Sequence, residues 1–302
     1  MSWRVTVNCT KAEAEKISVE GDAIFTDHES PPVLVADEPD PTKPDEWRLH
    51  AYFDHEPSWE ELKLLERLAR DSDPQLERMD DSTDWVSLSQ SGLEPIRAGR
   101  FFVHTPMHHS QRPDETVNFE IDAGLAFGTG QHATTKGCLE ALDRLEQAGR
   151  HYSNVADIGT GTGLLAFAAL KLWPDAKAIA TDIDPVAVAV SEENALINTI
   201  PIGHGAGELL LATADGMQHP MLEARAPFDL LIANILAGPL KELAPSFAAS
   251  LADKATVVLA GLLDTQAEDV IAAYEAQGLS VAEAGEGEWR VLVLERVSLG
   301  LA

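Results

Sequence analysis

VADIGTGTGLLAFAALKLWPDAKAIATDID, residues 155–184, is the stretch that decides the fold. An apolar run, Val155 to Ile158, meets a cluster of glycines. A helix-like segment follows, then a second apolar run ending in an acid, Asp182. This is the outline of a strand–loop–helix–strand unit built to bind a nucleoside. Glycines in such a loop let backbone approach a ligand closely. An acid at the end of the second strand is placed to accept hydrogen bonds from ribose hydroxyls.

The glycine spacing narrows the choice of ligand. A dinucleotide loop needs Gly-x-Gly-x-x-Gly, or Ala in the last place. Gly159 and Gly161 fill the first two places, but Leu164 stands in the third. No Lys follows the glycines, so this is not a phosphate-binding P-loop either. The pattern is Asp157-x-Gly159-x-Gly161-x-Gly163. S-adenosylmethionine (SAM) carries no phosphate, and its methionine end combines an ammonium, a carboxylate and a sulfonium. An acid at Asp157 and bare backbone groups at a helix start suit that mixture.

Around this unit, strands are expected at 154–158, 177–182, 208–213, 228–233, 256–261, 279–284 and 289–296. Helices are expected at 163–173, 185–197, 238–250 and 264–277. Such alternation gives an α/β fold: a seven-stranded, mostly parallel, doubly wound, Rossmann-like sheet. Only Ala284 to Glu288 separate the last two strands, so the final strand should run antiparallel. That arrangement is the one used by SAM-dependent methyltransferases.

The N-terminal part reads as a smaller α+β unit. WRVTVNC (3–9), PPVLVAD (31–37), WRLHAYF (47–53) and QLERMD (75–80) read as strands. Thr10 with Glu13, and Ser58 with Glu61, form capping boxes that open helices near Lys11–Glu20 and at WEELKLLERLAR. The order βαββαβ predicts a ferredoxin-like domain at 1–85, read as a recognition module. Residues 86–116 are expected as a linker, with PIRAGRFFVHTP as a strand leading into a SAM-binding domain at 117–302.

Composition excludes several classes. The net charge of −28 repels a nucleic-acid backbone and would attract a basic protein. The same acidity serves solubility equally well. No apolar run reaches the roughly 18 residues of a membrane span, and MSWRVTVNCT is not a secretory leader. Cys9 and Cys138 are the only cysteines, which argues against a disulfide framework or zinc cluster and fits the cytoplasm.

Three further segments carry candidate chemistry. In FDLLIANIL (228–236) a buried strand delivers Asn234 at its carboxyl end, where ligands sit in open α/β sheets. Its side-chain carbonyl can hold a substrate amine; the alternative is a cap for a helix starting near Pro239. Asp215, in LLLATADGM, either accepts from an adenine amino group or simply makes an Asp-Gly turn. GLAFGTGQHATT (124–135) reads as a loop folding over the cofactor, with Phe127 against it and Thr134 or Thr135 opening the next helix. His108, His109 and His132 lack any tight metal-ligand spacing, so solvated or structural roles are expected, with no metal.

Gly124–Thr135, Asp157–Gly163, Asp182–Pro185, ANILAGP (233–239), LAGLLDTQAEDVIAAYEAQG and EWRVLVLER together resemble the bacterial ribosomal protein L-eleven methyltransferases, the PrmA family. The resemblance covers most of 95–296. This chain departs at Gln131 and Ala133, where the family often has Thr and Pro, and at Thr160, where Cys is common. The resemblance implies an enzyme: a SAM-dependent protein-lysine N-methyltransferase acting on lysine side chains and the N-terminal amine of a large-subunit ribosomal protein gripped by the N-terminal domain. It implies SAM contacts from Thr135, Gly159, Gly161, Asp182 and Asn234; the amine-holding carbonyl read above makes Asn234 the expected catalytic residue. Asp157, Asp215 and Phe127 join the cofactor site from the residue reading above. A monomer without nucleic-acid or membrane partners is expected. Other readings remain open: methylation of another protein lysine or a small-molecule amine, or a SAM-binding sensor.

Overall fold

A computed structural model describes residues 2–11, 13, 32–37, 43, 46–53, 55–68, 74–79, 95–121 and 133–296. The chain divides into two compact units, Met1–Leu88 and Ser89–Ala302.

In the first unit, β1 (Ser2–Cys9), β2 (Val33–Asp37), β3 (Trp47–Phe53) and β4 (Gln75–Met79) form an antiparallel sheet in the order β2-β3-β1-β4. That is the ferredoxin-like order. The alternation of β1 and β3 buries Val5, Val7, Leu49, Ala51 and Phe53 on one face, where Leu65 of α1 (Trp59–Leu68) joins them. Both capping boxes are present. Thr10 N–H donates to Glu13 (2.9 Å) and Ser58 N–H to Glu61 (2.6 Å), with the return bonds from each Glu N–H at 3.3 Å. Beyond Lys11 and Glu13, the helix expected at Lys11–Glu20 lies outside the described residues.

The second unit starts earlier than the expected domain boundary at 117. Residues 95–121 do not behave as a linker. They form β5 (Ile96–Ala98), β6 (Phe101–His104), a 3-10 turn (Pro106–Gln111) and β7 (Val117–Glu120), joined in a three-stranded sheet. Phe101 and Phe119 are fully buried and stacked at 5.9 Å, and Phe119 continues onto Phe167 at 6.3 Å. The reason is apolar burial: Ala98, Phe101, Val103, Phe119 and Ile121 belong to the same core as the large sheet.

That sheet runs β10-β9-β8-β11-β12-β14-β13. Its strands are β8 (Asn154–Ile158), β9 (Lys177–Asp182), β10 (Leu209–Thr213), β11 (Phe228–Asn234), β12 (Leu251–Leu263), β13 (Leu279–Ala284) and β14 (Trp289–Arg296). All pairs are parallel except those of β14, which is antiparallel to both β12 and β13. The helices are α2 (Ala133–Gln147), α3 (Leu164–Leu172), α4 (Pro185–Ile197), a short α5 (Pro220–Arg225), α6 (Ala237–Ala249) and α7 (Asp264–Glu275). Separate cores fill the two faces of the sheet. Buried on both sides, the strands read as continuous apolar runs.

Two departures from expectation have local causes. Strand β12 begins at Leu251, not near 256, because the exposed Asp253 and Lys254 interrupt its apolar pattern. Lys254 sits at φ 61°, and the β11–β12 register shifts between Phe228 and Leu230. Helix α5 is too short to show a 3.6-residue period.

Candidate active site

The sheet reverses its order between β8 and β11, with β9 on the other side of β8. A crevice at the carboxyl ends of such strands is where open α/β sheets bind ligands. The motif residues gather there.

The turn after β8 is pinned to β9. Gly159 N–H and Thr160 N–H both donate to the Thr181 carbonyl, at 2.8 and 2.9 Å. Gly161 N–H donates to Asp182 Oδ2 at 2.9 Å, and Asp184 N–H to Asp182 Oδ1 at 3.1 Å. Each Asp182 oxygen has further lone pairs to offer a ligand hydroxyl. Gly159 and Gly161 take φ +75° and +57°, a region that side chains avoid. A Cβ built on Gly159 would stand 2.2 Å from Ile235 Cγ2. The site therefore needs a glycine where Ile235, the residue after Asn234, crosses it.

Asp157 supports this turn from inside. It is buried, and its Oδ2 accepts from Thr160 Oγ1 (2.7 Å) and Ala166 N–H (3.2 Å). Its Oδ1 has no partner among the described residues. Burial pushes its pKa up to about 7; the Asp182 charge pushes the same way, while the two hydrogen bonds pull back.

On the other wall, Asn234 closes β11 and its Nδ2 donates to Thr135 Oγ1 at 3.2 Å. Thr135 lies in the first turn of α2 and is 2% exposed. The expected alternative for Asn234, a helix cap, is not what the structure shows. Helix α6 takes Leu236 in the N-cap position with no side-chain cap bond.

Asp215 is exposed, and Gln218 N–H donates to its carbonyl at 3.2 Å in a turn where Gly216 has φ +56°. Ala214 N–H donates to the Asp182 carbonyl at 2.8 Å, so this turn leaves the sheet beside Asp182. Phe127, and the 124–135 loop as far as His132, lie outside the described residues.

Sequence reading missed three contributors. Ser191 Oγ donates to the Gly161 carbonyl at 2.7 Å, and Asn194 Nδ2 to the Thr162 carbonyl at 3.1 Å. Both are buried on α4, three residues apart on one helix face, a spacing that marks them once the helix is known. Ile183, directly after Asp182, is 67% exposed. An exposed isoleucine beside Asp182 leaves an apolar surface open next to that carboxylate.

The chemistry of this donor set fits SAM: unobstructed backbone at Gly159 and Gly161, spare lone pairs on Asp182, and an unpaired carboxylate oxygen on Asp157. Strand order, the glycine turn and the inserted antiparallel β14 define a class I, SAM-dependent methyltransferase.

Comparison with known proteins narrows the class. The chain belongs to the ribosomal protein L11 methyltransferase (PrmA) family, whose model matches residues 2–297. It is 42% identical over 268 residues to the ribosomal protein L11 methyltransferase of Mesorhizobium japonicum, covering 88% of this chain and 89% of that protein. The Brucella suis protein of the same name is 48% identical over 197 residues, 65% of this chain and 67% of the relative. Among solved structures, the ribosomal protein L11 methylase of Lactobacillus delbrueckii subsp. bulgaricus aligns with TM-score 0.58 and 27% identity, over 67% of this chain and 98% of that one. No described helix is long and apolar enough to cross a membrane.

Proposed function

We propose that this chain moves methyl groups from SAM to lysine side-chain and N-terminal amines of ribosomal protein L11. The observation carrying the reading is the Asn234–Thr135 pair at the carboxyl end of β11, next to the glycine turn at 159–163. SAM supplies an electrophilic methyl group, so the protein's task is to position the amine rather than to activate the donor. In this reading the backbone at Gly159 and Gly161 lies along the methionine end. Asp182 holds the ribose, and Asp157 Oδ1 accepts from the ammonium. Ile183 and Asp215 flank the base, and Phe127 covers it.

With its Nδ2 tied to Thr135, Asn234 keeps its side-chain carbonyl as an acceptor for the substrate nitrogen. An accepted N–H turns the nitrogen lone pair away from Asn234 and toward the methyl group. A lysine with its ordinary pKa near 10.4 costs about 4.6 kcal/mol to neutralise at pH 7. A dry pocket lowers that cost by disfavouring the ammonium. The proton leaves to water before the amine docks.

The named substrates of the relatives support L11 as target, and the net charge of −28 suits a basic protein partner. The ferredoxin-like unit at 1–85 is the proposed docking module, and the enzyme acts as a cytoplasmic monomer. Incubation with isotope-labelled SAM and purified L11, followed by peptide mass spectrometry, tests this. Labelled methyl groups on L11 lysines and its N-terminus are expected. SAM binding without any label on L11 overturns the substrate assignment.

A further inference from the structure

Three side chains from three successive elements converge outside the site described above. His104 ends β6, His109 lies in the 3-10 turn, and Glu120 ends β7. One donor atom from each lies within 4.8 Å of the other two. The two imidazole rings meet edge to face at 5.9 Å.

The hydrogen bonds fix the chemistry of this cluster. His104 Nδ1 lies 2.8 Å from the Thr105 carbonyl oxygen. A carbonyl only accepts, so Nδ1 carries the proton and Nε2 keeps its lone pair. That Nε2 is buried on a residue 3% exposed, with no partner among the described residues. A buried acceptor left unmatched is costly. An imidazole that donates one N–H to a backbone carbonyl and leaves the other nitrogen bare is the usual posture of a metal-bound histidine. His109 Nδ1 donates to Glu120 Oε2 at 2.5 Å; an ion would take the place of this shared proton, with His109 then carrying its hydrogen on Nε2.

We propose that His104, His109 and Glu120 form a binding site for a divalent transition-metal ion of the zinc class. Two imidazoles and a carboxylate are a zinc-type donor set, with the fourth position open. Ligands about 2.1 Å from a tetrahedral ion stand about 3.4 Å apart, so donors at the 4.8 Å limit must close by about 1.4 Å while His109 and Glu120 move slightly apart. The half-exposed His109 has room to make that move. Arg112 opposes a cation here, but its guanidinium is exposed and hydrogen-bonded to the His109 carbonyl at 3.0 Å, where solvent screens it.

The site would clip the 3-10 turn to the ends of β6 and β7. Glu120 is already braced through its backbone: Asn198 donates to its carbonyl (2.7 Å) and accepts from its N–H (2.9 Å). A bound ion would thus stiffen the strand end that leads toward residues 124–135.

The test uses the full chain, stripped with chelator and titrated with Zn²⁺ or Co²⁺ alone. Expected results are one tightly held Zn²⁺ per chain, a Co²⁺ absorption spectrum of tetrahedral intensity and a higher thermal midpoint with metal. His104→Ala risks the fold, so His109→Ala and Glu120→Gln carry the decision. Each should weaken Zn²⁺ binding by at least about tenfold and abolish the thermal shift. A parent chain that retains no stoichiometric zinc, or variants that hold it as tightly as the parent, overturn the site.

Discussion

On the β8–β9 side of the site, backbone, two carboxylates and the α4 pair Ser191 and Asn194 fix the glycine turn from several directions. On the β11 side, Asn234 is held, among the described residues, by one side-chain bond to Thr135. The first wall is over-determined: in the proposed function its residues would serve structure and ligand at once. The second is lightly tethered, which suits the reacting role proposed for its side chain. Substitutions on the two walls should therefore fail in different ways.

The largest separation is expected at Asn234. Asn234→Ala should slow methyl transfer at saturating SAM by about 10²–10³-fold, the scale of losing one well-placed polar group at a reacting centre. SAM affinity, read by calorimetry, should change by less than about threefold if the group acts only on the reacting amine. Equal transfer rates for mutant and parent would remove Asn234 from the mechanism.

Gly159→Ala should show the opposite pattern. Left-handed backbone and the collision with Ile235 should lower stability by about 2–3 kcal/mol, seen in denaturant unfolding. Full stability with unchanged SAM binding would mean that the turn is less tightly packed than it looks.

Asp182→Ala should weaken SAM binding by about 10- to 30-fold through lost charged hydrogen bonds, with a smaller stability loss from freeing Gly161 N–H. A variant that binds SAM like the parent would disconnect this acid from the ribose.

The smallest effect concerns Asp157 and is read per pH unit. Its folded pKa is raised, to about 7, above the ordinary carboxyl value. Between about pH 4 and 7 the unfolded chain has lost this proton while the folded chain keeps it, so stability falls as pH rises, by at most about 1.4 kcal/mol per unit. Asp157→Asn should flatten that part of the unfolding profile. An unaltered slope would show that Asp157 is ionised in the folded protein.

Much of this was legible because its signals are local. The glycine spacing at 159–163, the acid at 182 and the apolar runs of β8, β9 and β11 lie within short windows, and the structure places them close to where pattern reading does. The short Ala284–Glu288 connection correctly implied an antiparallel last strand. What escaped is non-local. Phe101 and Phe119 are 18 positions apart, and nothing in either window reveals that they stack and draw 95–121 into the core. Ser191 and Asn194 look like ordinary helix polar residues until Gly161 and Thr162 are seen above them. The histidines fail every local metal pattern, yet β6 and β7 pair in parallel and bring His104 opposite Glu120.

The position of β14 sets an order of events in biosynthesis. This strand, made after the other six, fills the gap between β12 and β13. Until residues 289–296 leave the ribosome, Val257 to Leu259 present an unpaired hydrophobic edge open to wrong partners. The nascent sheet thus cannot close progressively from one side; it waits for a single late insertion, and that waiting interval is where chaperone protection would matter most.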